Sequence, residues 1–209
     1  MKDNYFFDVK RKRPEEIYEN IIDYYSGDMI TKYATSKSMM KSQEEITIRA
    51  LELLEIKKSS LILDLGCGPG FSSIYLKELG YNVVALDLIY DFLRFYEIKE
   101  LNPICADMRF LPSRPNTFNA IISISALQWV YRELNNKEMR KQLIILTKSI
   151  ENILKVKAKA IFQFYPKNDK IMKEIGRIFD NNTKFEGNFI IDNPNNPKKR
   201  KIFLFLQRS

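Results

Sequence analysis

Apolar and polar positions along the chain alternate between two patterns. Short, nearly continuous apolar runs recur as LILDL (61–65), NVVALD (82–87), NPICAD (102–107), FNAIISI (118–124) and KAIFQFY (159–165). Each is too short for a stable helix and predicts a strand buried on both faces. Between them apolar residues return at helical spacing. FSSIYLKEL (71–79) predicts a helix that stops at Gly80, and 90–98 predicts the next. A long amphipathic helix is predicted over 137–154, its stripe built from Leu143, Ile144, Leu146, Ile150 and Leu154, and another over 169–179. Ahead of the first strand, Pro14 opens a helical segment, EEIYENIIDYY, that Gly27 ends. Proline suits such a start because its missing N–H would be unpaired there. After a polar stretch, 43–54 predicts a second helix, with Ile46, Ala50, Leu53 and Leu54 on one face. NFIID (188–192) and IFLFL (202–206) predict the last two strands.

Strands alternating with helices indicate an α/β fold: a doubly wound, Rossmann-like and mostly parallel seven-stranded sheet covered on both faces. The last two strands are joined by NPNNPKKRK with no helix between them, which predicts an antiparallel C-terminal hairpin closing the sheet. One domain, 14–209, follows a basic arm, 1–13. No internal repeat is visible.

Composition narrows the chemistry. Of 209 residues, 45% are hydrophobic, enough for a core. No run approaches the roughly 20 apolar residues of a membrane span, and the N-terminus has no apolar signal region; the expectation is a soluble, intracellular protein. There are two cysteines and no histidine. That excludes a Cys/His zinc site within the chain and any Ser-His-Asp or Cys-His pair. Cys67 and Cys105 read as small buried thiols. The net charge of +8 includes two runs, Lys10 to Arg13 and Lys198 to Lys201. Such runs are either solvated or bind an anionic partner such as nucleic-acid phosphate.

The candidate site starts at the first strand's end, where Asp64 precedes the loop Gly66-Cys67-Gly68-Pro69-Gly70. Ligands of open α/β sheets bind beyond the carboxyl ends of the strands. Glycines let the backbone approach a ligand closely, and the following helix offers free N–H groups. Asp87 ends the second strand, where a carboxylate suits ribose hydroxyls, and Asp107 ends the third, followed by Met108. A dinucleotide loop would read G-x-G-x-x-G. Here the spacing is G-x-G-x-G, with an acid two residues ahead of the first glycine.

This loop closely resembles motif I of class I S-adenosylmethionine-dependent methyltransferases. The resemblance implies S-adenosyl-L-methionine as cofactor and the class I fold. It sets Asp64 and Gly66 near the methionine part, with Cys67, Gly68, Gly70 and Ser123 around it. Asp87 and Leu88 fall at the ribose, and Asp107 and Met108 at the adenine. Three further segments, TIRALELL (47–54), SISALQWV (123–130) and QFYPKND (163–169), are similar to the small-subunit ribosomal RNA guanine-N7 methyltransferase family. The final hairpin is similar as well, so the likeness spans roughly 14–207. It implies methyl transfer to N7 of a guanine in small-subunit rRNA and a role in ribosome small-subunit biogenesis. Tyr33 and Gln43 match the family's N-terminal segment and would cover the cofactor.

On the acceptor side, Gln128 and Trp129 follow the fourth strand, and Tyr165, Pro166 and Asn168 follow the fifth. An unpaired base can stack on Trp129 or Tyr165; the alternative for Trp129 is a core aromatic. Guanine N7 carries a free lone pair, so an enzyme without histidine suffices. The family resemblance also implies a small zinc-binding activator protein that pairs along an edge strand near NPICAD. Eukaryotic members carry a basic tail beyond the last strand that this sequence lacks, which points to a cytoplasmic archaeal protein or a reduced eukaryotic one of nucleus, nucleolus and cytoplasm. A small-molecule methyltransferase of the same fold, or a non-catalytic RNA-binding subunit, would share the cofactor loop or the fold respectively.

Overall fold

The structure is a computed structural model and describes residues 12–95, 101, 103–196 and 198–209. Seven strands form one sheet: β1 (Leu61–Leu65), β2 (Asn82–Asp87), β3 (Ile104–Cys105), β4 (Phe118–Ile124), β5 (Leu154–Phe164), β6 (Phe185–Asp192) and β7 (Lys201–Arg208). Their order is β3-β2-β1-β4-β5-β7-β6. The first five pair in parallel, and β7 runs antiparallel to both β5 and β6. The antiparallel hairpin closes the sheet as expected, with β7 in an interior slot beside β5 and β6 at the edge. Burial explains the arrangement. Ile202, Leu204 and Leu206 of β7 enter one core while Phe203 enters the other, so this strand needs cover on both faces. β6 opens with Glu186, Gly187 and Asn188 exposed and tolerates an edge.

Side-chain alternation divides the strands between two cores. On one face, α4 (Lys37–Leu54) and α5 (Phe71–Glu78) pack Ile46, Ala50, Leu54 and Leu76 against Ile62, Ala120, Ile122, Ile161 and Phe203. On the other, α7 (Leu127–Val130), α8 (Lys137–Ile153) and α9 (Asp169–Asn182) cover Leu63, Leu65, Ile121, Phe162 and Phe164. Each fully buried Leu, Ile or Phe contributes about 1.5–3 kcal/mol.

The helices over the sheet's carboxyl end differ most from the expectation. The segment after Pro14 breaks into α1 (Pro14–Ile17) and α2 (Ile21–Tyr24), with Tyr18 and Asn20 extended between them. Ile17 and Ile22 are exposed, while Ile21 and Tyr25 pack against the buried cluster of Ile30, Ile89 and Phe92, so only part of the apolar period faces inward. The polar stretch that follows holds α3 (Asp28–Ala34), and α4 starts six residues before Gln43, capped by the Ser36 hydroxyl accepting from Met39 N. The helix α6 covers Tyr90–Leu93, and 96–98 of the expected 90–98 lie outside the described residues. The expected third strand shortens to two residues because β3 has a neighbour on one side only, and Asn102 is not described. β5 begins five residues early, directly after α8, and bends through Lys157 at φ 65°. The first eleven residues of the basic arm also lie outside the described residues. No helix among the described residues is long and apolar enough to cross a membrane.

Candidate active site

A cleft of about 1390 Å³ opens over the carboxyl ends of β1, β2 and β4, roofed by the segment from α1 to α3. Its floor is the glycine loop. Gly66 N and Cys67 N both donate to Leu86 O (2.8 and 3.0 Å), which turns the chain sharply off β1. Gly66 has φ +80°, and a Cβ there would stand 2.6 Å from the Ala126 Cβ, so only glycine leaves this passage open. Gly70, at φ +87°, precedes α5 and packs against Leu101 instead of facing the cleft.

Asp87 locks the loop to β2. Its carboxylate accepts from Gly68 N (2.7 Å) and Ile89 N (2.8 Å). Burial raises its pKa, while those N–H groups pull it back. Tyr33 stands above the loop among Tyr25, Phe71 and Phe92, at ring distances of 5.3, 6.0 and 5.7 Å. Burial and the neighbouring Asp87 charge push the Tyr33 hydroxyl up to about 12, so it remains a neutral donor at physiological pH. Asp107 also lines the cleft with Met108, but Arg109 grips both of its oxygens through Nε (2.8 and 2.9 Å) and Nη2. Burial raises the Asp107 pKa, yet the hydrogen bonds and charge of Arg109 outweigh it and hold the group below the usual range.

Tyr33, Gly66, Gly68, Asp87, Leu88, Asp107 and Met108 thus share the cleft. Four other residues assigned to the cofactor are placed elsewhere. Asp64 shares the Ile62 face of β1, is 1% exposed, and accepts from Ser73 Oγ of α5 (2.5 Å). Burial lifts its carboxyl to about 7. Ser123, equally buried, donates to Leu65 O (2.7 Å) and ties β4 to β1. Cys67 packs with Ala85, Leu93 and Leu101 behind the loop, and Gly70 sits with them. Cys105, read as buried, is exposed, because the short edge strand covers it on one side only.

The acceptor wall is built by the chain after β4 and β5. Gln128 and Trp129 of α7 line the cleft with Tyr165 and Pro166. Trp129 is half-buried and stacks on Tyr24 (6.1 Å, 28°), so it is a wall of the cleft and not a core aromatic. Asn168 is the N-cap of α9, its side-chain oxygen accepting from Ile171 N (2.9 Å), and does not line the cleft. The charge runs are also partly structural. Arg13 Nη1 donates to Tyr165 O and its guanidinium stands 5.4 Å from the Tyr165 ring. Lys201 Nζ donates to the Tyr165 hydroxyl (3.3 Å), and Lys198 and Arg200 join it along the cleft's rim.

Several cleft residues escaped the sequence reading. Glu15 is 6% exposed, and Arg132 reaches from β4's side to donate to Glu19 O (2.9 Å) and Trp129 O (3.2 Å). The only sequence signal was Glu15 beside the proline that starts α1, which reads as an ordinary first-turn acid.

The chain has relatives among known proteins. Residues 63–145 match a family model described as a methyltransferase domain. The 18S rRNA (guanine-N(7))-methyltransferase bud23 of Schizosaccharomyces pombe is 33% identical over 204 residues, covering 93% of this chain and 74% of that one. The 18S rRNA (guanine-N(7))-methyltransferase of Bos taurus is 33% identical over 88% of this chain and 67% of its own. In fold the chain is similar to a SAM-dependent methyltransferase from Aquifex aeolicus, with TM-score 0.66 and 15% identity, covering 88% of this chain and all of that one.

Proposed function

The chain belongs to the 18S rRNA (guanine-N(7))-methyltransferase family, and from that premise we propose that it methylates N7 of a guanine in small-subunit rRNA. The methyl donor is S-adenosyl-L-methionine. One observation carries the reading: a single cleft runs from the glycine loop to the wall of Gln128, Trp129 and Tyr165.

The residues fit the cofactor. Gly66 leaves the floor clear, and each Asp87 oxygen keeps a lone pair for a ribose hydroxyl beyond the N–H it already accepts. Leu88 and Met108 give apolar cover to the adenosine, and Tyr33 closes over it. The bound cofactor supplies a methyl group on a sulfonium. On the acceptor side, N7 needs no proton removed, so the chain's task is alignment of that nitrogen. Trp129 and Tyr165 offer aromatic faces, each stacked base being worth about 1–3 kcal/mol.

Labelled-methyl transfer to small ribosomal subunits, followed by mapping of the base, tests the proposal. The expected product is N7-methylguanine in the rRNA. Label recovered only on small molecules would overturn it, and absence of S-adenosylhomocysteine binding by calorimetry would favour a non-catalytic subunit.

The reading extends to biology and to a partner. Methylating this RNA places the chain in small-subunit biogenesis, in the nucleus or nucleolus and cytoplasm of a eukaryote or the cytoplasm of an archaeon. A small zinc-binding activator protein would add a strand to the edge of β3. Tyr90 and Phe110, both exposed, flank that edge in the chain and supply apolar contact.

A further inference from the structure

Beside the main cleft lies a side pocket of about 310 Å³, at the lower end of the roughly 300–1,000 Å³ typical of small-molecule sites. Glu15, Gln128, Arg132 and Tyr165 line both spaces, so the pocket opens off the acceptor wall. One of these groups lacks a partner its burial calls for, and another is a buried acid without an ion pair among the described residues. Gln128 is 7% exposed; its Nε2 donates to Ser125 O (2.8 Å), but its Oε1 has no hydrogen-bond partner. It stands alone in this among buried side-chain atoms of the described residues. Glu15 is 6% exposed; its carboxylate accepts from its own backbone N–H, and no cation among the described residues lies within ion-pairing distance of it. Arg132 spends two N–H groups on Trp129 O and Glu19 O, leaving others of its five.

We propose that this pocket reads the Watson–Crick edge of the target guanine. The Glu15 carboxylate accepts from N1–H and the N2 amino group, Gln128 Oε1 from the second N2 hydrogen, and Arg132 donates to O6. The inference deepens the guanine reading above and rests on it. Complementarity selects the base: guanine presents one acceptor and two donor groups on that edge, where the pocket holds one donor and two acceptors. Adenine would set its N1 lone pair against a carboxylate and its amino group against a guanidinium. A base pinned by this edge keeps N7, on the far side of its rings, turned out of the pocket and into the main cleft. Bases taken out of a stack are read this way, by their pairing edge and by aromatic faces. A donor on the ligand would give the buried Gln128 Oε1 the partner that no protein group supplies. Burial raises the Glu15 pKa, opposed first by the hydrogen bond from its own backbone N–H and then by Arg13 and Arg132, with Glu16 adding to it; a donor-rich ligand favours the ionised form.

Trp129 is the only tryptophan of the chain, and its place on the wall makes it the reporter. Its fluorescence is titrated with GMP, IMP and AMP in the full chain loaded with S-adenosylhomocysteine. IMP lacks only the N2 amino group. GMP is expected to bind about ten-fold or more tighter than IMP, the worth of a hydrogen bond to a charged group, and AMP weaker still. Glu15→Gln is expected to erase the GMP preference while S-adenosylhomocysteine affinity holds. Equal GMP and IMP affinities in the unaltered protein, a preference that survives Glu15→Gln, or no response to GMP up to its solubility would each overturn the inference. The titration needs no methyl transfer, so its failure is distinct from failure of the rRNA assay.

Discussion

Asp64 and Asp87 end adjacent parallel strands in register with Ala85 and Cys105, yet they do different work. Asp87 faces the cleft and fastens Gly68, whereas Asp64 is turned to Ser73 of α5. The sequence marks both as strand-end acids beside glycines. Register with Ala85 puts both acids on one face of the sheet, so what separates them is position along it: Asp64 lies under α5, and Asp87 lies further out, beside the glycine loop. Burial gives Asp64 a measurable signature. Its folded pKa of about 7 lies above the unfolded 3.8, so between these values the folded state holds a proton that the unfolded state has released. Stability therefore falls as pH rises from about 4 to 7, by roughly 4 kcal/mol at the far end for the isolated group. Asp64→Asn keeps an acceptor for Ser73 and has no charge to bury. Its melting temperature relative to the unaltered protein should rise steadily over that window; parallel pH profiles of the two proteins would refute this origin.

Among the elements, the sheet and its long helices were legible and the roof was not. β1, β2 and β4 begin and end where their apolar runs do, because each is largely buried on both faces and the polar residues inside them, such as Asp64 and Ser123, are satisfied by hydrogen bonds. The roof helices α1, α2, α3 and α6 span four to seven residues each. Helices so short gain little from propensity and take shape from what they pack against, here Tyr25, Tyr33 and Phe92 in one cluster. The hairpin between β6 and β7 was anticipated, but not that its cations would meet the acceptor wall. Lys201 is tied to Tyr165, while Lys198 and Lys199 are exposed. Replacing Lys198 and Lys199 by glutamine should weaken binding to small-subunit RNA and reduce the slope of log affinity against log salt by about one to two. An unchanged slope in filter-binding or anisotropy titrations would assign these lysines to solvent alone. Lys201→Gln should act differently, lowering methyl-transfer rate through Tyr165 with a smaller change in the salt slope.

For the whole molecule, the two edges of the sheet are unequal. β6 contributes eight residues and β3 only two, so β3 offers a brief ladder of backbone groups beside exposed Tyr90 and Phe110. If a zinc-binding activator covers that edge, the chain alone should aggregate or bind S-adenosylhomocysteine weakly, and co-expression should yield a monodisperse heterodimer by light scattering. Phe110→Glu should reduce co-purification. A monodisperse monomer with full methyl-transfer activity and no partner would count against the interface. The glycine spacing, the acids at strand ends and the alternation of apolar runs were set by the sequence alone, because local sterics and two-sided burial act on neighbours in the chain. Tertiary structure decided that β7 fills an interior slot, that Trp129 lines the cleft, and that Glu15 joins Gln128 on one pocket wall. Those outcomes rest on contacts between residues distant in the chain, where spacing carries no direction and only packing sets which face a side chain presents.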